Sequence, residues 1–176
     1  MSRSSSVMEY TAEDLIAHKL ERSGILVAKP KFDHDGADLL ALLDVKDNAK
    51  FCRIQCKGRS LITTKTARVK IPQLYATDGF VLFIFVETGE FSLTHLYCIL
   101  GKEIRDTWRM LKSDYILTLN RSNFESSLAQ YIFDSNRINL IKKAIVEVNV
   151  NGEFNAMNHG GAAIVLPALR VTGGSY

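Results

Sequence analysis

The stretch ADLLALLDVKDNAKFCRIQCK, residues 37–57, holds two apolar-rich runs separated by Lys46-Asp47-Asn48-Ala49-Lys50. Lys, Asp and Asn between two strand-forming runs are turn chemistry, so Ala37 to Val45 and Phe51 to Lys57 are predicted to be the arms of a hairpin. Side chains alternate along a strand, which sends Arg53, Gln55 and Lys57 to one face and Cys52, Ile54 and Cys56 to the core face. With the turn centred on Asp47 and Asn48, antiparallel register sets Leu42 opposite Arg53, Leu40 opposite Gln55 and Asp38 opposite Lys57. Directly opposed Cβ atoms lie roughly 5 Å apart and diagonal ones about 7–8 Å. Asp38, Gln55 and Lys57 can then reach one ion or one phosphate. The plainer reading of the same residues is a surface Asp–Lys cross-strand pair with a neighbouring Gln.

Upstream, Thr11 stands where a helix N-cap would, Asp14 follows three residues on, and Leu15, Ile16 and Leu20 recur at helical spacing before Gly24. Residues 1–10 are expected to be disordered, Ile25 to Ala28 to form a short strand, and Pro30 to Gly36 a loop. Downstream, the polar, basic stretch Gly58 to Lys70 reads as a loop or irregular strand lying over a binding surface. Phe80 to Glu87 and Leu93 to Leu100 read as a second strand pair joined through Thr88-Gly89-Glu90. A helix is expected over Lys102 to Leu111, a strand over Tyr115 to Leu119, and helices over Phe124 to Phe133 and Asn136 to Val146. The expected organisation is one α/β domain over 11–148. Residues 149–176 are left unassigned, including whether Ala162 to Leu166 joins a sheet.

With 176 residues, 47% of them apolar, the chain can bury a core of its own. Its net charge of +3 does not by itself establish a polyanionic partner, but the distribution is uneven. Between Asn48 and Thr77 stand seven basic residues, Lys50, Arg53, Lys57, Arg59, Lys65, Arg68 and Lys70, and no acid. Such a field draws in a nucleic-acid backbone through phosphate contacts and counterion release, whereas its bland reading is a solvated basic face. The three cysteines, Cys52, Cys56 and Cys98, form no disulfide framework and read as reduced thiols of a cytoplasmic protein. Met1 to Ser6 has one positive charge with no apolar run behind it, and is expected to be neither a secretory signal nor a membrane anchor. His18, His34, His95 and His159 lack metal-site spacing, so zinc has little support. Asp33 and Asp35 flank His34 ahead of Asp38, either as rival ligands or as turn formers. Phe80, Phe83 and Phe85 fit a buried strand better than a base-stacking platform, and packing is the default for Trp108.

Asp35-Gly36-Ala37-Asp38-Leu39-Leu40 and Arg53-Ile54-Gln55-Cys56-Lys57-Gly58 resemble the paired motifs of the PD-(D/E)XK nuclease superfamily. There an acidic residue at a strand start is followed, on the next strand, by acid-x-Lys or Gln-x-Lys. The Gln-x-Lys form resembles Mrr-type restriction endonucleases, and the general layout also resembles Holliday-junction resolvases. The resemblance covers roughly the first hundred residues. It implies an α/β restriction-endonuclease-like core, a mixed β-sheet flanked by helices, and Mg²⁺- or Mn²⁺-dependent hydrolysis of DNA phosphodiester bonds. It casts Asp38 and Gln55 as metal ligands, Lys57 as the contact to the scissile phosphate and attacking water, and Glu13, on the preceding helix, as a further ligand. Arg53, Arg59, Lys65, Arg68 and Lys70 are the expected nucleic-acid contacts, and a homodimer is one assembly such an enzyme would use on a duplex. A neutral Gln55 attracts a cation less than a carboxylate would, which keeps open a non-catalytic nucleic-acid-binding module of the same fold. A protein-interaction subunit is the remaining alternative.

Overall fold

The computed structural model of the chain describes residues 5–31, 36–45, 48–89 and 95–148. Helix α1 (Ser5–Glu21) packs Ala12, Ile16 and Leu20 into the core, one residue per turn on one face. It begins six residues before Thr11, so Ser5 to Tyr10 is helical where disorder was expected and Thr11 is not its N-cap. Gly24, at φ +78°, turns the chain out of the helix, a conformation that costs glycine little.

Strands β1 (Leu26–Ala28), β2 (Leu39–Val45) and β3 (Asn48–Ser60) follow. The last is longer than its expected span of Phe51 to Lys57. Strand β4 (Thr66–Pro72) and a short 3-10 turn (Gln73–Tyr75) lead into β5 (Phe80–Glu87) and β6 (His95–Leu100). The strands β1, β2, β3, β5 and β6 lie side by side in that order, with β3 and β5 parallel and the other pairs antiparallel. This is a mixed sheet flanked by helices, the expected α/β architecture. Phe80 to Val86 is buried at every position, as a strand covered on both faces must be.

Gly58 to Lys70 departs from expectation. Val69 and Ile71 are buried while Arg68 and Lys70 are exposed, a two-residue alternation that makes β4 the edge of a second sheet. Its partners are β7 (Arg109–Leu111) and β8 (Asp114–Asn120), in the order β4-β8-β7. The helix expected to reach Leu111 stops early, as α2 (Gly101–Thr107), because Arg109 to Leu111 pairs with β8. Helix α3 (Phe124–Leu128) and a 3-10 turn (Ala129–Tyr131) replace one longer helix, and α4 (Ser135–Glu147) is capped by Asp134, whose side chain accepts from the Arg137 N–H.

Two cores result, one on each face of the five-stranded sheet. One joins α1 and α4 to Leu39, Ala41, Cys52, Ile54, Cys56, Phe83 and Cys98. The other sets Leu82, Ile84 and Ile99 against Val69, Ile71, Trp108 and Leu119 of the second-sheet side. All three cysteines are buried and none is joined in a disulfide among the described residues; the burial of Cys52 and Cys56 is what the alternation predicted. Burial pushes the Cys52 thiol up to about 12 and raises Cys98 further. Since only thiolate reacts, a charged disulfide reagent at pH 8 is expected to modify none of the three in the native protein and all three in guanidinium. Fast labelling of the native chain would contradict this packing.

Candidate active site

Val45 pairs with Asn48 and Leu40 with Arg53, so the hairpin centre falls one residue earlier than expected and the register moves by two. Because side chains repeat every two residues, no side chain changes face. The shift changes who meets whom: continued by one residue beyond Leu39↔Ile54, the register brings Asp38 to Gln55 instead of Lys57.

β2 starts at Leu39 whereas β3 continues to Ser60, held on its other side by β5. Asp38 extends the ladder into this overhang. Its backbone N–H donates to the Ile54 carbonyl at 2.8 Å, and its carboxylate Oδ2 accepts from the Cys56 N–H at 2.5 Å. A carboxylate acceptor makes this a charge-assisted bond, shorter and stronger than a neutral one. Asp38 is thereby held beside β3 at the level of Gln55 and Cys56.

Gln55 is buried, and its amide oxygen Oε1 has no hydrogen-bond partner among the described residues. Nearly all buried polar atoms are satisfied, and leaving one unpaired costs about 1–3 kcal/mol. The Gln55 Nε2 side is pressed against Gly36: a Cβ there would stand 2.7 Å from Nε2 and 2.5 Å from Cε2 of Tyr75. Gly36 also has φ +68°. Only glycine meets both demands, so the residue two before Asp38 lets the backbone close on the Gln55 amide and the Tyr75 ring. Lys57 follows on the same face as Gln55. It is half-buried, and no described residue gives its ammonium a hydrogen bond or an ion pair.

Glu13 lies well inside α1 and not in its first turn, beyond the reach of the dipole at the helix N-terminus. It is buried, and its Oε2 accepts from the Lys29 ammonium at 2.5 Å. Lys29 follows β1 directly, next to the Ala28↔Leu40 pair, which puts this ion pair at the same end of the sheet as Asp38. Among the described residues no three His, Cys, Asp or Glu side chains converge on one cation position. Asp33, His34 and Asp35 lie outside the described residues.

The basic residues divide. Arg53 is buried with Nη2 3.4 Å from Thr77 Oγ1, because the second core covers that face of β3, and it is withdrawn from the expected nucleic-acid contacts. Arg59 donates Nε to the Arg68 carbonyl at 3.0 Å and Nη1 to the Gly58 carbonyl at 2.6 Å, tying β3 to β4. Lys65, Arg68 and Lys70 are exposed. The pairings Lys70↔Ile116 and Arg109↔Ile116 add Arg109 to the row formed with Lys70. Tyr75 and Lys29 went unnoticed in the sequence: a tyrosine in a crossover and a lysine after a three-residue strand carry no local signal.

No protein-family model matches the chain, and no curated protein matches its sequence. Among solved structures it is similar to Hjc, a Holliday junction resolvase from the archaeal hyperthermophile Archaeoglobus fulgidus. The two share 10% identity at a TM-score of 0.37, over 75% of this chain and 98% of that one. A likeness this loose assigns no activity, so the functional reading rests on the residues themselves. Among the described residues no helix is long and apolar enough to cross a membrane.

Gly36→Ala would force a methyl group into Gln55 and Tyr75 at a positive φ. The expected result is a loss of about 1–3 kcal/mol in denaturant unfolding, with changed chemical shifts at the Gln55 side-chain amide. An unaltered amide signal would show that Gly36 does not shape the site.

Proposed function

We propose that this chain is a divalent-metal-dependent nuclease acting on DNA phosphodiester bonds, with Asp38, Gln55 and Lys57 as its centre. The observation that carries the reading is the buried Gln55 oxygen, without a partner among the described residues, at the level of the anchored Asp38 carboxylate, with an ammonium two residues on that no described residue pairs. Two oxygen donors at one strand end fit Mg²⁺ or Mn²⁺, hard ions that keep several waters and need few protein ligands. Bound there, such an ion supplies Lewis acidity, making a coordinated water more acidic and offsetting charge on the phosphate.

Asp38 does the electrostatic part of the holding, and its bond to the Cys56 N–H fixes the orientation of the carboxylate. Gln55 adds an oxygen already stripped of water, so coordinating an ion costs it little further desolvation. Lys57 meets the scissile phosphate: an ammonium with no partner among the described residues can stabilise the charge that grows on the oxygens at the transition state. Arg59 sits between this centre and β4, whose exposed Arg68 and Lys70 carry the backbone contacts outward. Those contacts hold DNA by charge and read no sequence. Homodimer formation would give a duplex two such centres.

The second reading, a nucleic-acid-binding module without catalysis, draws on Glu13. Its carboxylate is engaged by Lys29, and the neutral Gln55 leaves Asp38 as the one anion directly on the β3 overhang among the described residues. Incubation of plasmid and branched DNA with Mg²⁺, Mn²⁺ or EDTA distinguishes the two. Metal-dependent product is expected from the wild type, with a rate at least about 100-fold lower in Lys57→Ala at an unchanged melting temperature. Equal product from both proteins, or none from either, would reject the nuclease.

The backbone contacts have their own signature. Arg68→Ala with Lys70→Ala should lower the slope of log K against log salt by about two units, with the loss of affinity independent of DNA sequence. An unchanged slope would remove β4 from the interface.

A further inference from the structure

The Glu13–Lys29 pair is asymmetric. The Glu13 side chain is 10% exposed and that of Lys29 52%. The carboxylate is thus fixed in α1, near the Asp38 end of the sheet, while the ammonium rides on a flexible four-carbon stem that can swing into solvent. Lys29 also lies over the Tyr10 ring, 4.9 Å from its centroid, a cation–π contact on the outer side. The hydrogen bond to Glu13 outweighs partial desolvation and raises the Lys29 pKa above its ordinary value, so the group is a cation at neutral pH. A buried carboxylate needs a positive partner, and among the described residues Lys29 supplies it.

We infer that Lys29 is a built-in competitor for the divalent ion: it neutralises Glu13 when no metal is bound and must be displaced before Glu13 can join Asp38 and Gln55 around the ion. This rests on the metal site proposed above. Glu13 then serves as a ligand only in the loaded protein, and the metal affinity of the chain is set as much by Lys29 as by the neutral Gln55. Displacement is sterically simple, since the exposed partner leaves and the buried one stays. A pair with one exposed member is held weakly, so a doubly charged ion can win the exchange without unfolding α1.

Calorimetric titration of the full chain with Mn²⁺ tests this, using wild type, Lys29→Met, Lys29→Gln, Lys29→Met with Glu13→Gln, and Asp38→Asn. The expected result is heat in the wild type that vanishes in Asp38→Asn, and binding about fivefold tighter in both Lys29 variants. Adding Glu13→Gln should abolish that gain. Asp38-dependent heat with equal affinity in wild type and both Lys29 variants would overturn the competition while leaving the site standing. So would a gain that survives Glu13→Gln, since it would reflect general charge and not exchange at that carboxylate. Absence of Asp38-dependent heat in every protein would reject the metal site and the competition with it. Thermal melts of the Lys29 variants show that each is folded as titrated.

Discussion

The candidate site depends on β3 outlasting β2. Beyond the end of β2, β3 stays bonded to β5 through Ser60↔Glu87, which keeps the overhang extended while its other edge lacks a strand partner. The Cys56 N–H on its free edge would otherwise need another acceptor. Asp38 supplies one through its side chain, a bond to a charged group contributing about 1.5–3 kcal/mol. One contact thus completes the ladder and holds a carboxylate at the level where alternation presents Gln55 and Lys57. The constellation is a consequence of strand pairing, with Gly36 closing on the Gln55 amide from the segment before β2.

Period-two alternation was legible in the sequence and proved robust. Cys52, Ile54 and Cys56 face the α1 core, Gln55 and Lys57 face the other way, and the hairpin exists. The register was not legible, because Lys46 to Lys50 accommodates more than one turn length and both choices bury the same residues. A two-residue slip leaves the apolar pattern unchanged and alters only the polar partners, on which composition exerts no pressure. The candidate residues were therefore assigned to the right faces while their contacts were misassigned, Asp38 to Lys57 in place of Gln55 and the Cys56 N–H.

The second sheet was missed for a different reason. Arg68-Val69-Lys70-Ile71 alternates polar and apolar as a half-buried strand should, but the preceding Ser, Thr and Gly residues made the whole stretch read as loop. Its partner β8 lies far along the chain, and pairing over such a separation leaves no local trace. The positions of Arg53 and Tyr75 follow from that sheet. It covers the Arg53 face of β3, and the crossover from β4 back to β5 carries Tyr75 to Gly36. Which cations are free to meet a polyanion is therefore a tertiary property, even where their clustering is plain in the sequence.

Gln55 is the residue that packing alone explains least. Leucine or methionine of similar volume would fill a buried strand position without an unpaired oxygen, and the protein would gain stability by the change. A polar atom held at such a cost belongs with the strained and unsatisfied groups that gather where ligands bind. The same reasoning separates Gln55 from Glu13, whose carboxylate is equally buried but satisfied by Lys29. One acceptor has no partner among the described residues, and the other is engaged by a cation whose stem is half exposed. Packing thus accounts for Glu13 through its ion pair, whereas it leaves the Gln55 oxygen without a described partner.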